Sequence, residues 1–166
     1  MKKIKYLAFA LALSLMFVSI TACGGTSVKD DFKEYVNNNS NTTFLPENND
    51  IVKTYTAAIE SQDEKILVPA LSETLPTKNN ALLEKLKAYT PVTTEVQELH
   101  NIYIKAVEIR KEGYSLMAEA LTTKVSDEAA TDTAIAKLAE SDTKFTEFET
   151  KRISMMKDLG LVDASK

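Results

Sequence analysis

The sequence from Thr94 to Leu121, TEVQELHNIYIKAVEIRKEGYSLMAEAL, has the strongest helical pattern in the chain. Apolar residues recur along it at alternating steps of three and four, which is the spacing of one face of an α-helix. The residues of this stripe are Leu99, Ile102, Ala106, Ile109, Gly113, Leu116 and Ala120. Additional apolar residues widen the stripe, and these are Tyr103, Ile104, Val107 and Met117. Because a helix that is apolar over much of its circumference is packed by several neighbours, we expect this helix at the centre of a helical bundle.

A second long helix is predicted after a short polar loop at residues 122–127. Its apolar stripe consists of Ala134, Leu138, Phe145, Phe148, Met155, Met156 and Leu159, with Ile135 beside it. Gly160 is a good helix terminator, so the helix is expected to run from about residue 128 to 159. Because the loop before it is short, this helix should lie antiparallel to the central one.

Gly113 stands within the apolar stripe of the central helix. A glycine inside a helix costs about 1 kcal/mol relative to alanine, so its use there indicates a close approach by a neighbour. We expect that neighbour to be another backbone or an aromatic ring such as Phe145 or Phe148.

The segment from residue 28 to 50 predicts a short helix followed by a linker. Apolar residues recur at helical spacing at its start, and these are Val28, Phe32, Tyr35 and Val36. The polar, turn-prone residues from 37 to 50 predict a solvated linker, to which Pro46 adds rigidity.

The segment from residue 50 to 90 predicts the remaining helices. Its apolar spacing is interrupted by Pro69, which removes a backbone donor and clashes with the preceding turn of a helix. We therefore expect either one kinked helix up to residue 74 or two helices that join near residues 62–64. A shorter helix over residues 79–89 should follow.

Together these patterns predict an all-α protein, an up-and-down bundle of three or four long helices with one or two short helices near the N-terminus. Glycine and proline are scarce, with four residues of each, and the abundant Ala, Leu, Glu and Lys are strong helix formers. We expect residues 28–166 to form a single helical-bundle domain.

The first 23 residues have the pattern of an export signal. Three lysines within the first five residues precede an uncharged run of about 17 residues, from Tyr6 to Ala22. This run is shorter than the about 20 residues of a membrane-spanning helix, and a basic start before such a run is typical of a secretory signal. It ends in Ile20-Thr21-Ala22-Cys23, and Cys23 is the chain's single cysteine.

This tetrapeptide resembles the bacterial lipobox, which is usually Leu, a small residue, Gly or Ala, and then Cys. The resemblance implies that a diacylglycerol is attached to the sulfur of Cys23 and that the leader is cleaved after Ala22. Residues 1–22 are then the lipoprotein signal peptide, and residues 23–27 are the lipidated cysteine and its tether. The expected location is the extracytoplasmic face of the cell membrane, with the lipid bilayer as partner. The alternative is an ordinary signal peptide with a chance cysteine.

The charge of the chain excludes one class of partner. Cleavage after Ala22 would leave 144 of the 166 residues and, with three lysines lost, change the net charge from −4 to −7. An acidic domain lacks the basic surface that nucleic acids require, so we expect no nucleic-acid partner.

No sequence motif for catalysis or metal binding is present. His100 is the single histidine, and the residue three positions before it is Gln97, so the Glu-x-x-His motif of di-iron bundles is absent. Zinc sites require several His or Cys ligands. We therefore expect no enzymatic activity, no cofactor and no metal site.

Two functions of different classes fit these expectations for a membrane-anchored surface lipoprotein. The first is a non-enzymatic protein-interaction or scaffold module that presents a helical face to another envelope protein. The alternative is a small-ligand or metal carrier with a cavity between helices, and its candidate polar cleft consists of His100, Tyr103, Arg110 and Arg152. For Arg110 and Arg152, together with Asp142 and Glu149, the plainer interpretation is a set of flanking ion pairs that are largely solvated. A continuous apolar surface would favour the first function, and a pocket with converging polar groups would favour the second.

Overall fold

The computed structural model describes residues 25–122 and 128–161, and every regular element within these ranges is helical. The predicted all-α helical bundle is confirmed. The predicted signal peptide, Cys23 and most of the predicted loop at 122–127 lie outside the described residues. None of the described helices is both long enough and apolar enough to cross a membrane.

The elements follow one another as a nearly continuous series of helices. In chain order they are α1 (Val28–Glu34), a π-helical segment (Tyr35–Phe44), α2 (Leu45–Glu60), α3 (Glu64–Pro69), a second π-helical segment (Ala70–Thr74), α4 (Leu75–Ala88), α5 (Thr94–Thr122) and α6 (Glu128–Asp158).

Helix α5 is the centre of the bundle, as its wide apolar stripe predicts. It has 29 residues, a length of about 44 Å at 1.5 Å per residue, and it contacts α1, α3, α4 and α6. Its buried residues surround much of its circumference; they are Val96, Leu99, His100, Tyr103, Ala106, Val107, Ile109, Arg110, Gly113, Tyr114, Ala118 and Ala120.

Helix α6 packs against α5 far more extensively than against any other helix. Its fully buried residues are Ala134, Ser141 and Phe148, which are spaced by sevens and so form one narrow seam. At its C-terminus Gly160 has a φ of +61°, and the Leu161 N–H donates to the Met156 carbonyl at 2.8 Å. This left-handed turn satisfies a terminal carbonyl of the helix, which confirms Gly160 as the terminator.

The close approach predicted at Gly113 is present, but the neighbour is Leu138. A Cβ atom added to Gly113 would lie 2.7 Å from Cδ2 and 3.3 Å from the backbone nitrogen of Leu138. The backbone that was expected as a neighbour is therefore present, whereas the expected ring of Phe145 or Phe148 is wrong, because the three atoms nearest to the added Cβ all belong to Leu138. Gly113 lets the backbone of α6 approach α5 at the level of Leu138.

The linker predicted at residues 37–50 is wrong, because the chain there is helical. Within the π-helical segment the Leu45 N–H donates to the carbonyl of Ser40, five residues earlier. Val36, Ser40 and Phe44 are buried, while Asn37 lies on the exposed face. This segment is stabilised by a few buried side chains that recur at every fourth residue. The polar residues between them hide this pattern in the sequence.

The two alternatives for residues 50–74 are resolved in favour of two helices. Helix α2 ends at Glu60, Gln62 has a positive φ of 52°, and the Asp63 side chain caps α3 by accepting from the Lys65 N–H at 2.9 Å. The predicted end of a helix at residue 74 and the predicted start of the next helix at residue 79 are wrong. The chain stays helical from α3 through the second π-helical segment into α4.

Each π-helical segment is followed directly by a Leu-Pro pair. Leu45-Pro46 opens α2 and Leu75-Pro76 opens α4. A proline lacks the N–H that an α-helix would use, and its ring clashes with the carbonyl four residues earlier. The wider π-helical turn moves that carbonyl away from the proline ring. The helix therefore continues through a proline, although proline usually ends a helix.

Candidate functional site

An aromatic cluster joins the N-terminal helices to α5 around the ring of His100. The His100 ring centroid lies 5.5 Å from that of Tyr35, 5.8 Å from that of Phe44 and 5.7 Å from that of Tyr89. Tyr35 and Tyr89 present near-perpendicular edge contacts, which are favoured arrangements of aromatic rings. His100 is itself buried, so the cluster is part of the core.

The hydrogen bonds of His100 fix its protonation state. Nε2 lies 2.8 Å from the carbonyl oxygen of Leu86, and Nδ1 lies 3.3 Å from the hydroxyl of Tyr35. A carbonyl can only accept, so Nε2 carries the proton and Nδ1 accepts from Tyr35. Burial lowers the pKa of His100, against the raising effect of hydrogen bonds to the backbone of Leu86 and Tyr89. Both ring nitrogens are engaged, so the structure places His100 in a structural role.

Tyr103 extends the cluster toward α6. Its hydroxyl donates to the carbonyl of Phe44 at 2.9 Å, which satisfies the polar tip of a fully buried side chain. Its ring stacks on Phe148 with centroids 4.7 Å apart and meets Phe145 edge-on at 5.6 Å. Tyr103 thus links α5 both to the first π-helical segment and to α6.

Arg110 lies seven residues beyond Tyr103 on α5, about two helical turns, and is only 4% exposed. Its Nε donates to the Asn79 side-chain oxygen at 3.0 Å, and its Nη1 donates to that of Asn48 at 2.6 Å. The guanidinium carbon lies 4.9 Å from the ring centroid of Phe145, a cation–π distance. Its Nη2 is buried and has no hydrogen-bond partner among the described residues.

The Arg110 guanidinium is charged in spite of its burial. Burial lowers its pKa, and Tyr114, Tyr103 and Asp142 act in the opposite direction. An arginine side chain keeps its proton in proteins at neutral pH. The core of this bundle therefore contains a positive charge that is held by two neutral amides.

A cleft of about 370 Å³ opens beside Arg110 between α2, α5 and α6. It exists because α6 packs on α5 rather than on α2. The residues that line it are Asn48, Val52, Tyr55, Arg110, Tyr114, Leu138, Asp142 and Phe145. Its walls are thus largely apolar and aromatic, with a small number of polar groups that converge on one space, which is the usual composition of a ligand pocket.

The two tyrosines of the cleft, Tyr55 and Tyr114, are neutral hydrogen-bonding groups. Their ring centroids lie 5.1 Å apart. Burial raises the pKa of Tyr114 to about 12, and burial together with Asp142 raises the pKa of Tyr55. Both hydroxyls therefore keep their protons at neutral pH.

Asp142 supplies the negative charge of the cleft. It lies on α6 and is exposed, and it acts electrostatically on Tyr55, Tyr114 and Arg110. Within the described part of the chain no ion pair joins Asp142 to Arg110, whereas Arg152 is paired with Glu149 at 2.7 Å.

The structure divides the four residues of the predicted polar cleft. Arg110 lines the cleft, while His100 and Tyr103 belong to the aromatic core beside it. Arg152 lies ten residues beyond Asp142 on α6, about 15 Å along the helix axis. It forms a partly exposed pair with Glu149, as the plainer interpretation of its charge anticipates.

Sequence reasoning missed the two asparagines that hold the guanidinium. The position of Asn79 in the sequence was a usable signal, because this residue lies on the apolar stripe of α4 between Leu75 and Leu82. A polar side chain on such a stripe is buried and therefore requires a hydrogen-bond partner. The signal for Asn48 was masked, because residues 37–50 resemble a linker.

A second depression, of about 230 Å³, lies over His100 and is lined in part by Lys87, Thr90 and Gln97. It presents no buried side-chain atom that lacks a partner among the described residues. The Arg110 cleft is therefore the stronger candidate site.

The described residues contain no group of three or more His, Cys, Asp or Glu arranged to hold a metal ion. No protein-family model, curated protein or solved structure matches this chain.

Proposed function

We propose that this chain is a membrane-anchored lipoprotein of the bacterial envelope whose helical domain carries a small ligand in the cleft between α2, α5 and α6. The observation that supports this function is the cleft itself. It brings a buried guanidinium, an amide and a carboxylate to one space whose walls are aromatic and apolar. Its volume of about 370 Å³ falls within the usual range for ligand pockets.

The proposed role is binding without catalysis. The residues that line the cleft include no serine, cysteine, lysine or histidine, and the groups there that could act as nucleophiles are one carboxylate and two phenols. The two tyrosines hold their protons at neutral pH. These groups are suited to recognise and orient a molecule.

The anchor in this proposal is the lipid on Cys23. Five residues lead from Cys23 to the start of α1 at Val28, so the tether reaches at most about 18 Å. The domain would therefore stand directly at the membrane surface, held by lipid against the repulsion between its own acidic charge and anionic headgroups.

Lipidation is tested with Cys23→Ala in the native host. We expect wild-type protein to incorporate labelled fatty acid and to remain with the membrane fraction, and the variant to lose both properties. Equal labelling and equal membrane partition of the variant would contradict the anchor.

Carriage of a ligand is tested by native mass spectrometry of the lipidated protein, purified from its own host in mild detergent. We expect a discrete non-lipid adduct that is lost on denaturation. Val52→Trp should abolish it by filling the cleft, because Val52 lines the cleft and is 45% exposed, so a larger side chain is tolerated. Val92→Trp is the matched control, since Val92 is 65% exposed and does not line the cleft.

A bare protein, or an adduct that survives Val52→Trp, would contradict the carrier function. A co-purifying polypeptide would instead favour the protein-interaction module. One observation supports that second candidate: Val52 and Ile59 are exposed apolar residues seven positions apart, and so lie on one face of α2. Ile59→Asp should then release the polypeptide.

A further inference from the structure

The unpaired Nη2 of Arg110 is the starting point for identifying the ligand. The two asparagine side chains accept from Nε and Nη1, and Nη2 has no acceptor within the described residues. Leaving a buried donor of a charged group unsatisfied is unfavourable, and such a group in a folded protein calls for an explanation. A bound acceptor in the adjacent cleft supplies one.

The chemistry of Arg110 selects a carboxylate as that acceptor. Both protein partners of the guanidinium are neutral amides, so they orient the group and leave its charge uncompensated. Several other cations of the domain do have carboxylate partners, for example Lys78 with Asp50 at 2.7 Å. A planar carboxylate matches the guanidinium in both shape and charge.

The position of Asp142 argues against a simple anion. A ligand with only a negative charge would be repelled by Asp142, which lines the same cleft. A ligand that also carries a cationic group would use that charge, because Asp142 is exposed and not ion-paired to Arg110 in the described part of the chain. The tilted rings of Tyr55 and Tyr114, with centroids 5.1 Å apart, offer π-faces beside such a cation.

On these grounds we propose that the cleft binds a small zwitterion of the amino-acid type, with its carboxylate on Arg110 and its cationic group on Asp142. The apolar remainder of the ligand lies against Val52, Leu138 and Phe145. This inference rests on the proposed carrier function and adds to it the chemical class of the cargo.

The test uses two sets of matched probes and isothermal titration calorimetry on the full lipidated protein in detergent. The first set is L-phenylalanine, 3-phenylpropanoate and 2-phenylethylamine, and the second is 6-aminohexanoate, hexanoate and pentylamine. Each set contains a zwitterion, the same skeleton without its amine, and the same skeleton without its carboxylate. We expect at least one zwitterion to bind about tenfold or more tightly than both of its single-charge analogues.

Asp142→Asn is the decisive variant, because its exposed position makes it compatible with folding. It should weaken binding of the zwitterion by about tenfold and improve binding of the analogue that keeps only the carboxylate. Asp132→Asn, at an exposed position ten residues earlier on α6, should change neither affinity.

The outcomes separate this inference from the proposed function. Equal affinity for a zwitterion and its single-charge analogue, or an unchanged ratio in Asp142→Asn, would overturn the zwitterion class. If the adduct sensitive to Val52→Trp were still present, the carrier function would stand with a cargo of different chemistry. Absence of both the adduct and any probe binding would overturn the two proposals together.

Discussion

The buried carboxylate of Asp31 in α1 holds Thr93, 62 residues further along the chain, at the start of α5. Its Oδ2 accepts from the Thr93 N–H at 2.7 Å and from the Thr93 hydroxyl at 2.6 Å, and its Oδ1 accepts from the Val92 N–H at 3.2 Å. The N–H groups before a helix have no partner within it, and a negative charge at that end is favoured by the helix dipole. Asp31 thus caps the central helix from a distant part of the sequence.

Asp31→Asn should lower the free energy of unfolding by about 2 kcal/mol, because the amide loses the charge and presents N–H groups to other donors. Urea denaturation followed by circular dichroism measures this loss. Asp30→Asn is the matched control, since Asp30 is exposed on the same helix and bonds only to Ser27 among the described residues. Equal losses in the two variants would contradict the role of Asp31 as a cap.

The buried His100 makes stability depend on pH in a defined direction. Burial lowers the pKa of the folded-state imidazole below that of the unfolded chain, which is about 6.5. The unfolded state therefore binds more protons between these two values, and the free energy of unfolding falls as the pH falls from about 6.5 to the folded-state pKa. The slope contributed by one such group is at most about 1.4 kcal/mol per pH unit.

His100→Gln should remove this part of the pH dependence. Glutamine can donate to the Leu86 carbonyl but cannot take up a proton, so the variant should be less stable at pH 8 and its deficit should shrink toward pH 5. The neighbouring Tyr35 and Tyr89 do not titrate in this range, because burial raises the pKa of both. Urea denaturation at pH 5, 6, 7 and 8 measures the effect, and parallel pH profiles for the two proteins would contradict it.

The contact between Gly113 and Leu138 predicts a strong size limit at residue 113. Gly113→Leu should lower the melting temperature markedly, because even the first added carbon would lie 2.7 Å from Leu138 Cδ2 and 3.3 Å from its backbone nitrogen. Overpacking of this kind costs about 1–3 kcal/mol. The gain of about 1 kcal/mol in helix propensity on replacing glycine by alanine offsets part of it for Gly113→Ala.

A double-mutant cycle isolates this contact. Gly113→Ala should be less harmful, or even stabilising, in a Leu138→Ala background, because the side-chain carbons that obstruct the new methyl group are then absent. Thermal unfolding of the four proteins gives the coupling energy. An additive cycle would show that Leu138 does not limit the space at Gly113.

The long-range contacts explain which parts of the fold the sequence could predict. The stripes of α5 and α6 are local and periodic, so both helices followed from spacing alone, and the end of α6 followed from the glycine at residue 160. The helical course of residues 37–50 did not follow, because it depends on Phe44 packing against rings far away in the chain, those of Tyr89, His100 and Tyr103.

The candidate site was predictable only in part, for the same reason. Arg110 could be identified as a charge beside the stripe of α5, and it lies on the observed cleft. Which residues face it is set by the register of α2, α4 and α6 against α5. Helical periodicity carries no information about that register, so Arg152 was grouped with it and Asn48 and Asn79 were not.

Two fully buried serines allow a matched test of how polar groups contribute to this core. The Ser141 hydroxyl donates to the carbonyl of Ala106 at 2.8 Å and so links α6 to α5. The Ser40 hydroxyl is buried equally and has no partner among the described residues. Removing a satisfied buried group costs about 1 kcal/mol, whereas removing an unsatisfied one relieves its desolvation penalty.

Ser40→Ala should therefore leave the free energy of unfolding unchanged or raise it by about 1 kcal/mol, and Ser141→Ala should lower it by about the same amount. Alanine is also the better helix former at both positions, so this gain is common to the two variants and cancels in the comparison between them. Urea denaturation of both variants beside the wild-type protein measures the difference. A loss of stability in Ser40→Ala as large as that in Ser141→Ala would contradict this expectation. It would show that the Ser40 hydroxyl has a hydrogen-bond partner in solution and that the first π-helical segment depends on that bond.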